Sequence, residues 1–452
     1  MHMPGHKRNC SAPYLQALGA SLDITEINGF DNLHSACSIL QEAMDRAAHR
    51  WGCRKSYFLV GGSTCGILAG IYAAIERGER ILMARNCHRS VYNAVELTGA
   101  SPVYLTPQWD PNWGLQGPIT PEQVKAAIAE NPDVGLVVLT SPTYDGILSE
   151  VAEIADVVHA AGISLLVDEA HGAHLDLSPY FTGGAVKGGA DLVVQSLHKT
   201  LPSLTQTAIA HVCTDRIDMR RFSDALAIFE TSSPSYLLLA SIDECLHYMD
   251  ESAFEMWNAA IEENRSAFSS LAKLCVLGYG DTVPLPSWRR DFSKLLVSTN
   301  FSDLTGPELA ALLRRQYNIE VEMAAGGYVL AMTGPGDTGE TIGAFAKALC
   351  EIDRSCKTFT PCPCPAPPVP ERICGIYAAK RGRHSIVERR QALGKISGEY
   401  IYAYPPGIPL VVPGERLDRD VLAYLDALAS QGVALHSDME DAPGHFSVLS
   451  PI

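Results

Sequence analysis

Leu165-Leu166-Val167-Asp168-Glu169-Ala170-His171 is an apolar run that ends in an acid, and Leu192-Val193-Val194-Gln195-Ser196-Leu197-His198-Lys199 is a second such run that ends in a lysine. Short runs rich in Val, Ile and Leu, separated by segments of helical period, mark βαβ units around a mostly parallel sheet. Outward from these two, the alternation covers about residues 36–215, with strands expected at Arg80–Ala84, Val103–Leu105, Val134–Thr140, Ser164–Asp168, Leu192–Ser196 and Ala208–Cys213. Glu150–Ala161 has helical spacing and stops at Gly162. The fold class read from this pattern is α/β.

Further along, Ala259 to Leu349 reads as a smaller α/β lobe, with a helix over Gly306–Arg315 and a strand over Ile319–Met323. Thr360 to Pro370 holds six prolines and no glycine, which makes a stiff connector. The expected division is therefore 1–258 for an N-terminal arm and large domain, 259–359 for a small α/β domain, 360–370 for a linker and 371–452 for a C-terminal domain. A chain of 452 residues exceeds what one hydrophobic core supports.

The 35 basic and 51 acidic side chains leave a net charge of −16. Repulsion from phosphate backbones argues against a nucleic-acid partner, whereas a cationic small molecule would be weakly attracted. Ser56 to Ile75 carries no charge over twenty residues, yet Gly61, Gly62, Gly66 and Gly70 suit a strand, a loop and a buried helix better than a membrane span. The first residues hold no apolar core of signal-peptide length, so a cytoplasmic location is expected, and the thirteen cysteines are expected to remain thiols. Cys362 and Cys364 lie between prolines without a second ligand pair at zinc-finger spacing, and no metal is expected.

Three features carry chemistry. Lys199 follows the end of one apolar strand and Asp168 ends another, both positions where parallel sheets bind ligands. A buried carboxylate needs a cation or several donors; a protonated pyridine nitrogen would serve, and capping of the following turn is the plainer reading. Gly61-Gly62-Ser63-Thr64-Cys65-Gly66 opens an apolar helix, an arrangement that suits phosphate, and it lacks the Gly-Lys-Ser/Thr ending of a nucleotide P-loop.

The order of cradle, acid and lysine resembles fold-type-I pyridoxal-phosphate enzymes, whose large domain has the aspartate-aminotransferase type of fold. Longer strings narrow this to the Orn/Lys/Arg decarboxylase family: Met3-Pro4-Gly5-His6-Lys7, Arg85-Asn86-Cys87-His88-Arg89-Ser90, Thr140-Ser141-Pro142-Thr143-Tyr144, Asp168-Glu169-Ala170-His171-Gly172-Ala173-His174, Ser196-Leu197-His198-Lys199-Thr200-Leu201-Pro202, Thr231-Ser232-Ser233-Pro234-Ser235 and Tyr404-Pro405-Pro406-Gly407-Ile408-Pro409. The resemblance implies a Schiff base between Lys199 and pyridoxal 5'-phosphate, Asp168 on the ring nitrogen, and Ser63, Thr64, Ser196 and His198 on the phosphate. It also implies His88 stacked on the ring, His171 near the phenolic oxygen, and Thr231 and Ser232 reaching the phosphate of a partner subunit in a homodimer.

Each has a plainer alternative: His88 as a loop histidine, Ser196 bonding only to backbone, His171 packing, and Thr231–Ser233 capping the helix before Tyr236. The chain starts almost at Pro-Gly-His-Lys, like the short biosynthetic members without an N-terminal wing. Gly61 and Ala403 depart from the family's expected Asn and Pro. The implied reaction is decarboxylation of a basic amino acid in polyamine metabolism, with arginine ahead of lysine and ornithine, and with Glu399 as the candidate for the distal cation. Transamination, carbon–carbon cleavage, or a regulator without turnover are the alternatives.

Overall fold

The computed structural model describes residues 2–8, 13–280, 286–360, 363–404, 407–439 and 444–450. Its contacts divide the chain into two compact units: Met1–Glu76, Gly135–Pro142 and Glu150–Met256 form the first, and Arg77–Val134, Thr143–Ser149 and Trp257–Ile452 the second. Arg77–Val134, read above as part of the large domain, groups with the second unit.

In the first unit the strands lie in the order Lys55–Leu59, Ala208–Val212, Leu192–Gln195, Ser164–Asp168 and Val134–Thr140. The last three are mutually parallel, with Asp168 opposite Thr140 on one side and Val194 on the other. Ala208–Val212 runs against both of its neighbours. The Val134 and Ser164 strands have the boundaries read from the sequence, and the Leu192 and Ala208 strands each stop one residue earlier. Near-continuous burial of Leu165, Leu166, Val167, Leu192, Val193 and Val194 explains the unbroken apolar runs.

Ser56–Ile75 resolves into the Lys55–Leu59 strand and the helix Gly62–Ala74. The helix is apolar all round because it is buried, and two glycines one turn apart let its backbone lie directly on the sheet. A Cβ on Gly66 would stand 2.7 Å from Leu59 Cδ1 and 2.9 Å from Val194 Cγ1; one on Gly70 would stand 2.6 Å from Leu192 Cδ2 and 2.8 Å from Leu166 Cδ1. The face covered by this helix therefore carries Leu166, Leu192 and Val194. By the two-residue period of a strand, Asp168 points to the same side.

The second unit holds the parallel pair Arg80–Ala84 and Ser101–Leu105, which starts two residues before the expected Val103. It also holds an antiparallel sheet ordered Cys275–Val276, Lys294–Ser298, Tyr328–Met332, Met323–Ala325. The expected strand over Ile319–Met323 is absent. The preceding helix runs on through Tyr317 and ends at Asn318 in the left-handed conformation (φ 58°), so residues 319–322 connect, and a hairpin over Gly326-Gly327 joins Met323–Ala325 to Tyr328–Met332. Thr305 and Glu308 close the start of that helix as a capping box.

Residues 363–370 form neither helix nor strand; Cys364 receives Trp109 Nε1 on its carbonyl (2.9 Å) and donates its N–H to Pro111 O (2.8 Å). Cys362 lies outside the described residues. Beyond them, Ile401, Val411, Leu417, Val421, Leu425, Phe446 and Val448 build a small C-terminal core. Among the described residues no helix is long and apolar enough to cross a membrane.

The closeness of helix and sheet is testable. Gly66→Val adds a Cβ that already meets Leu59 and Val194, plus two methyls, and overpacking of this kind costs about 3 kcal/mol. Urea unfolding should show a correspondingly lower midpoint, and an unchanged midpoint would contradict the packing described.

Candidate active site

Asp168 is 3 % exposed, and Oδ1 accepts from Ala170 N at 3.1 Å. This is the turn-capping bond, and it is the carboxylate's single hydrogen bond among the described residues. One neutral donor leaves a buried charge under-compensated, so the carboxylate is open to a cation.

Lys199 lies in the one-turn helix Leu197–Thr200, which follows the Leu192 strand. Its Nζ stands 3.2 Å from Nε2 of the buried His171. An ammonium at Nζ donates to that nitrogen only when the imidazole is neutral, so the pair can share a proton. Thr200, the next residue, has a buried hydroxyl with no hydrogen-bond partner among the described residues.

Ser196 is fully buried and its Oγ donates to Ser63 Oγ at 3.0 Å, which ties the end of the Leu192 strand to the first turn of the Gly62–Ala74 helix. The residue before this helix is Gly61, which offers no side-chain cap. Its first N–H groups and partial positive charge are thus presented at the same strand end, with Ser63 half-buried and Thr64 exposed beside them. His198 is half-buried and donates from Nδ1 to Thr207 O at 2.7 Å. Burial holds its pKa below the usual value, and a neutral ring would offer only a lone pair at Nε2. A phosphate contact there requires the imidazolium form.

Glu230 is a neighbour that sequence reasoning missed. Its Oε1 lies 2.9 Å from where a Cβ on Gly61 would stand, and its Oε2 accepts from Val60 N (3.2 Å) and Cys65 Sγ (3.1 Å). The departure from Asn at position 61 thus has a steric reason. Thr231 and Ser232, which follow, are exposed. Thr231 N donates to Glu230 Oε1 (3.2 Å), while Ser235 begins the helix Tyr236–Tyr248 without a side-chain cap, so Thr231–Ser233 do not cap it.

In the second unit His88 precedes the helix Arg89–Thr98, and its Nδ1 accepts from Ser90 N at 3.2 Å. That assigns the proton of the neutral ring to Nε2. Nε2 is 3.7 Å from the position of a Cβ on Gly407, whose φ of +82° also disfavours any side chain. The intervening Pro405 and Pro406 lie outside the described residues. Three residues before His88, Arg85 donates to Pro409 O (2.6 Å), Leu410 O (3.1 Å) and Tyr92 Oη (3.0 Å) and pairs with buried Glu415 at 3.1 Å. This buried ion pair, also unread from the sequence, pins the segment after Gly407.

Glu399 is 2 % exposed, with Oε1 accepting from Ser447 N at 2.7 Å. The structure gives it a place inside the C-terminal core. Burial pushes its pKa above the usual carboxylate range.

Removing one partner of a buried pair strands the other charge. Glu415→Gln should lower stability by about 3 kcal/mol or more in denaturant unfolding, whereas an exposed pair such as Arg314–Glu320 should show no comparable loss when broken. Equal costs for the two would contradict the role given to Arg85.

The residues fit pyridoxal 5'-phosphate: an uncapped helix N-terminus with two serine hydroxyls for phosphate, an open buried carboxylate for a ring N–H, and a lysine amine beside an imidazole nitrogen. The major-domain profile of the Orn/Lys/Arg decarboxylases matches residues 11–277, and the C-terminal-domain profile matches residues 375–435. An arginine decarboxylase of Halalkalibacterium halodurans is 29% identical over 97% of this chain and 92% of its own length. One from Bacillus subtilis is 29% identical over 94% of this chain and 89% of its own. The constitutive lysine decarboxylase of Escherichia coli shares the fold, with a TM-score of 0.81 over 100% of this chain and 79% of its own at 20% identity. With a family profile that spans more than half of its length, the chain belongs to the Orn/Lys/Arg decarboxylases, enzymes that work with pyridoxal 5'-phosphate.

Proposed function

We propose that this decarboxylase acts on arginine and releases agmatine and carbon dioxide, a step that feeds polyamine synthesis. The observation that carries the choice is coverage. The arginine decarboxylases of H. halodurans and B. subtilis align over 97% and 94% of this chain, whereas the lysine decarboxylases of Pseudomonas aeruginosa and E. coli align over 45% and 49%.

The bound cofactor supplies an electron sink for the pair left behind when the α-carboxylate departs. Lys199 Nζ would be the amine that holds the cofactor and gives it up to the substrate amine. Asp168 holds the ring nitrogen protonated, and each pKa unit by which it does so is worth about 1.4 kcal/mol. His171 Nε2, 3.2 Å from Nζ, receives and returns the proton that Nζ exchanges. Ser63, Thr64 and Ser196 bind the phosphate together with the helix N–H groups, and His198 joins them as an imidazolium favoured by the phosphate's own charge.

By the family resemblance His88 would stack on the ring; within its own unit the imidazole is oriented by the Ser90 N–H on its Nδ1. Thr231 and Ser232 are exposed where a second copy of the chain can take them up, in keeping with a homodimer whose sites are shared. The net charge of −16 favours the approach of a cationic substrate over an anionic one. The reading places the enzyme in the cytoplasm.

Lys199→Ala should abolish the visible cofactor band that borohydride bleaches, and Asp168→Asn should leave the band but lower kcat by about a hundredfold or more. A band that survives Lys199→Ala removes the lysine's assignment. Product analysis with arginine, lysine and ornithine should give agmatine from arginine at the highest kcat/KM; cadaverine or putrescine in its place overturns the substrate while leaving the chemistry.

A further inference from the structure

The chemistry above leaves Glu169 without a task, although it follows Asp168 directly and is 1 % exposed. The pleat sends it to the opposite side of the sheet from Asp168 and the glycine-bearing helix. Gln195, His211 and Ser56, at 1 %, 0 % and 0 % exposure, share that side, as the opposed pairs Val193–His211 and Ser56–His211 require.

The four side chains form one hydrogen-bonded line across adjacent strands. Glu169 Oε1 accepts from Ala185 N at 2.7 Å and Oε2 accepts from Gln195 Nε2 at 2.7 Å. Gln195 Oε1 stands 3.2 Å from His211 Nε2, and His211 Nδ1 stands 2.8 Å from Ser56 Oγ. Cys53 Sγ flanks the end, 3.5 Å from His211 Nδ1 and 3.3 Å from Ser56 Oγ. The Trp51 ring lies 4.8 Å from the imidazole.

The line has one direction. A carboxylate only accepts, so Gln195 must turn its amide nitrogen to Glu169 and its oxygen to His211. His211 must then carry its proton on Nε2 and accept from Ser56 on Nδ1. Burial agrees, for it holds the imidazole pKa down to about 3, which keeps the ring neutral. Burial also lifts the Glu169 pKa to about 8 against the donors Gln195 and Ala185, with Asp176 and Asp168 as the neighbouring acids, so the carboxylate that sets this direction is the form present above that pH.

Such a strip costs desolvation that Val or Leu would not, and its return is geometric: each bond is made at one separation and angle, where apolar contact tolerates a range. The atoms so fixed are the ends of the strands that carry the site. Glu169 N donates to Val194 O at 2.9 Å, and Gln195 immediately precedes Ser196.

We propose that Glu169, Gln195, His211 and Ser56 are positioning residues of the cofactor site. Their directed chain, anchored by the Glu169 carboxylate, holds Asp168 and the Ser196–Lys199 turn at the spacing that the cofactor's ring nitrogen, phosphate and aldehyde demand. This rests on the assignment of Asp168, Ser196 and Lys199 to the cofactor.

Two variants of the full-length chain test it. Glu169→Leu breaks the line at its anchor, and titration of the visible band with pyridoxal 5'-phosphate should show a Kd raised at least tenfold; a Kd within twofold of the parent overturns the proposal, whatever happens to stability. Glu169→Gln keeps a partner for every group only if the line reverses. Its oxygen must face Ala185 N–H, so its NH2 faces Gln195, which turns over, and His211 then moves its proton to Nδ1 and donates to Ser56.

Recorded above pH 8, where Glu169 is ionised in the parent, the imidazole 15N spectrum of His211, assigned by its loss in His211→Phe, should switch from the Nε2–H to the Nδ1–H pattern, with Kd within about threefold of the parent. Parent-like tautomers in Glu169→Gln would overturn the directed chain. That readout needs no cofactor, so its failure is separable from a failure of the Lys199 assignment.

Discussion

Alternation along one strand governs this enzyme's interior. Asp168 and Glu169 are adjacent acids, and the pleat forces them to opposite faces of the sheet. The first is left with a single local donor, Ala170 N–H, and the second is satisfied on both oxygens. One acid is therefore open to a ligand cation and the other is a fixture of the fold. The glycines at 66 and 70 add to this by bringing a helix close enough for its N-terminus to stand over the same strand ends. The cradle, the acid and the lysine turn meet because neighbouring parallel strands end together.

Much of this was legible beforehand, for a reason that lies in burial. A parallel strand covered on both faces has to be apolar along its whole length, so Val134–Thr140 and Ser164–Asp168 announce their ends by the first polar residue. The antiparallel lobe gave no such mark. Tyr328–Met332 was missed and Ile319–Met323 misplaced because a short hairpin over two glycines depends on which segment pairs with Lys294–Ser298, a non-local choice that periodicity does not record.

In the site, residues on strand ends and the helix start were readable, since their partners are a few positions or one βαβ unit away. Those that act across long separations were not. Arg85 meets Glu415 and the carbonyls of Pro409 and Leu410 more than three hundred residues on, and Glu230 fills a space created by the lack of a side chain at Gly61. Neither a spacing nor a motif encodes such contacts. Glu399 illustrates the converse: an acid beside a motif suggests a substrate contact, and burial places it in the C-terminal core with one oxygen, Oε1, held by the Ser447 N–H.

The chain passes back and forth between its two units, leaving the first at Glu76, returning for Gly135–Pro142 and again for Glu150–Met256. During synthesis the second unit's first portion, Arg77–Val134, emerges long before Trp257–Ile452 exists to complete it. The first unit closes only once Met256 has cleared the ribosome. Neither unit can be excised as one continuous fragment, because each is assembled from three separate stretches of chain.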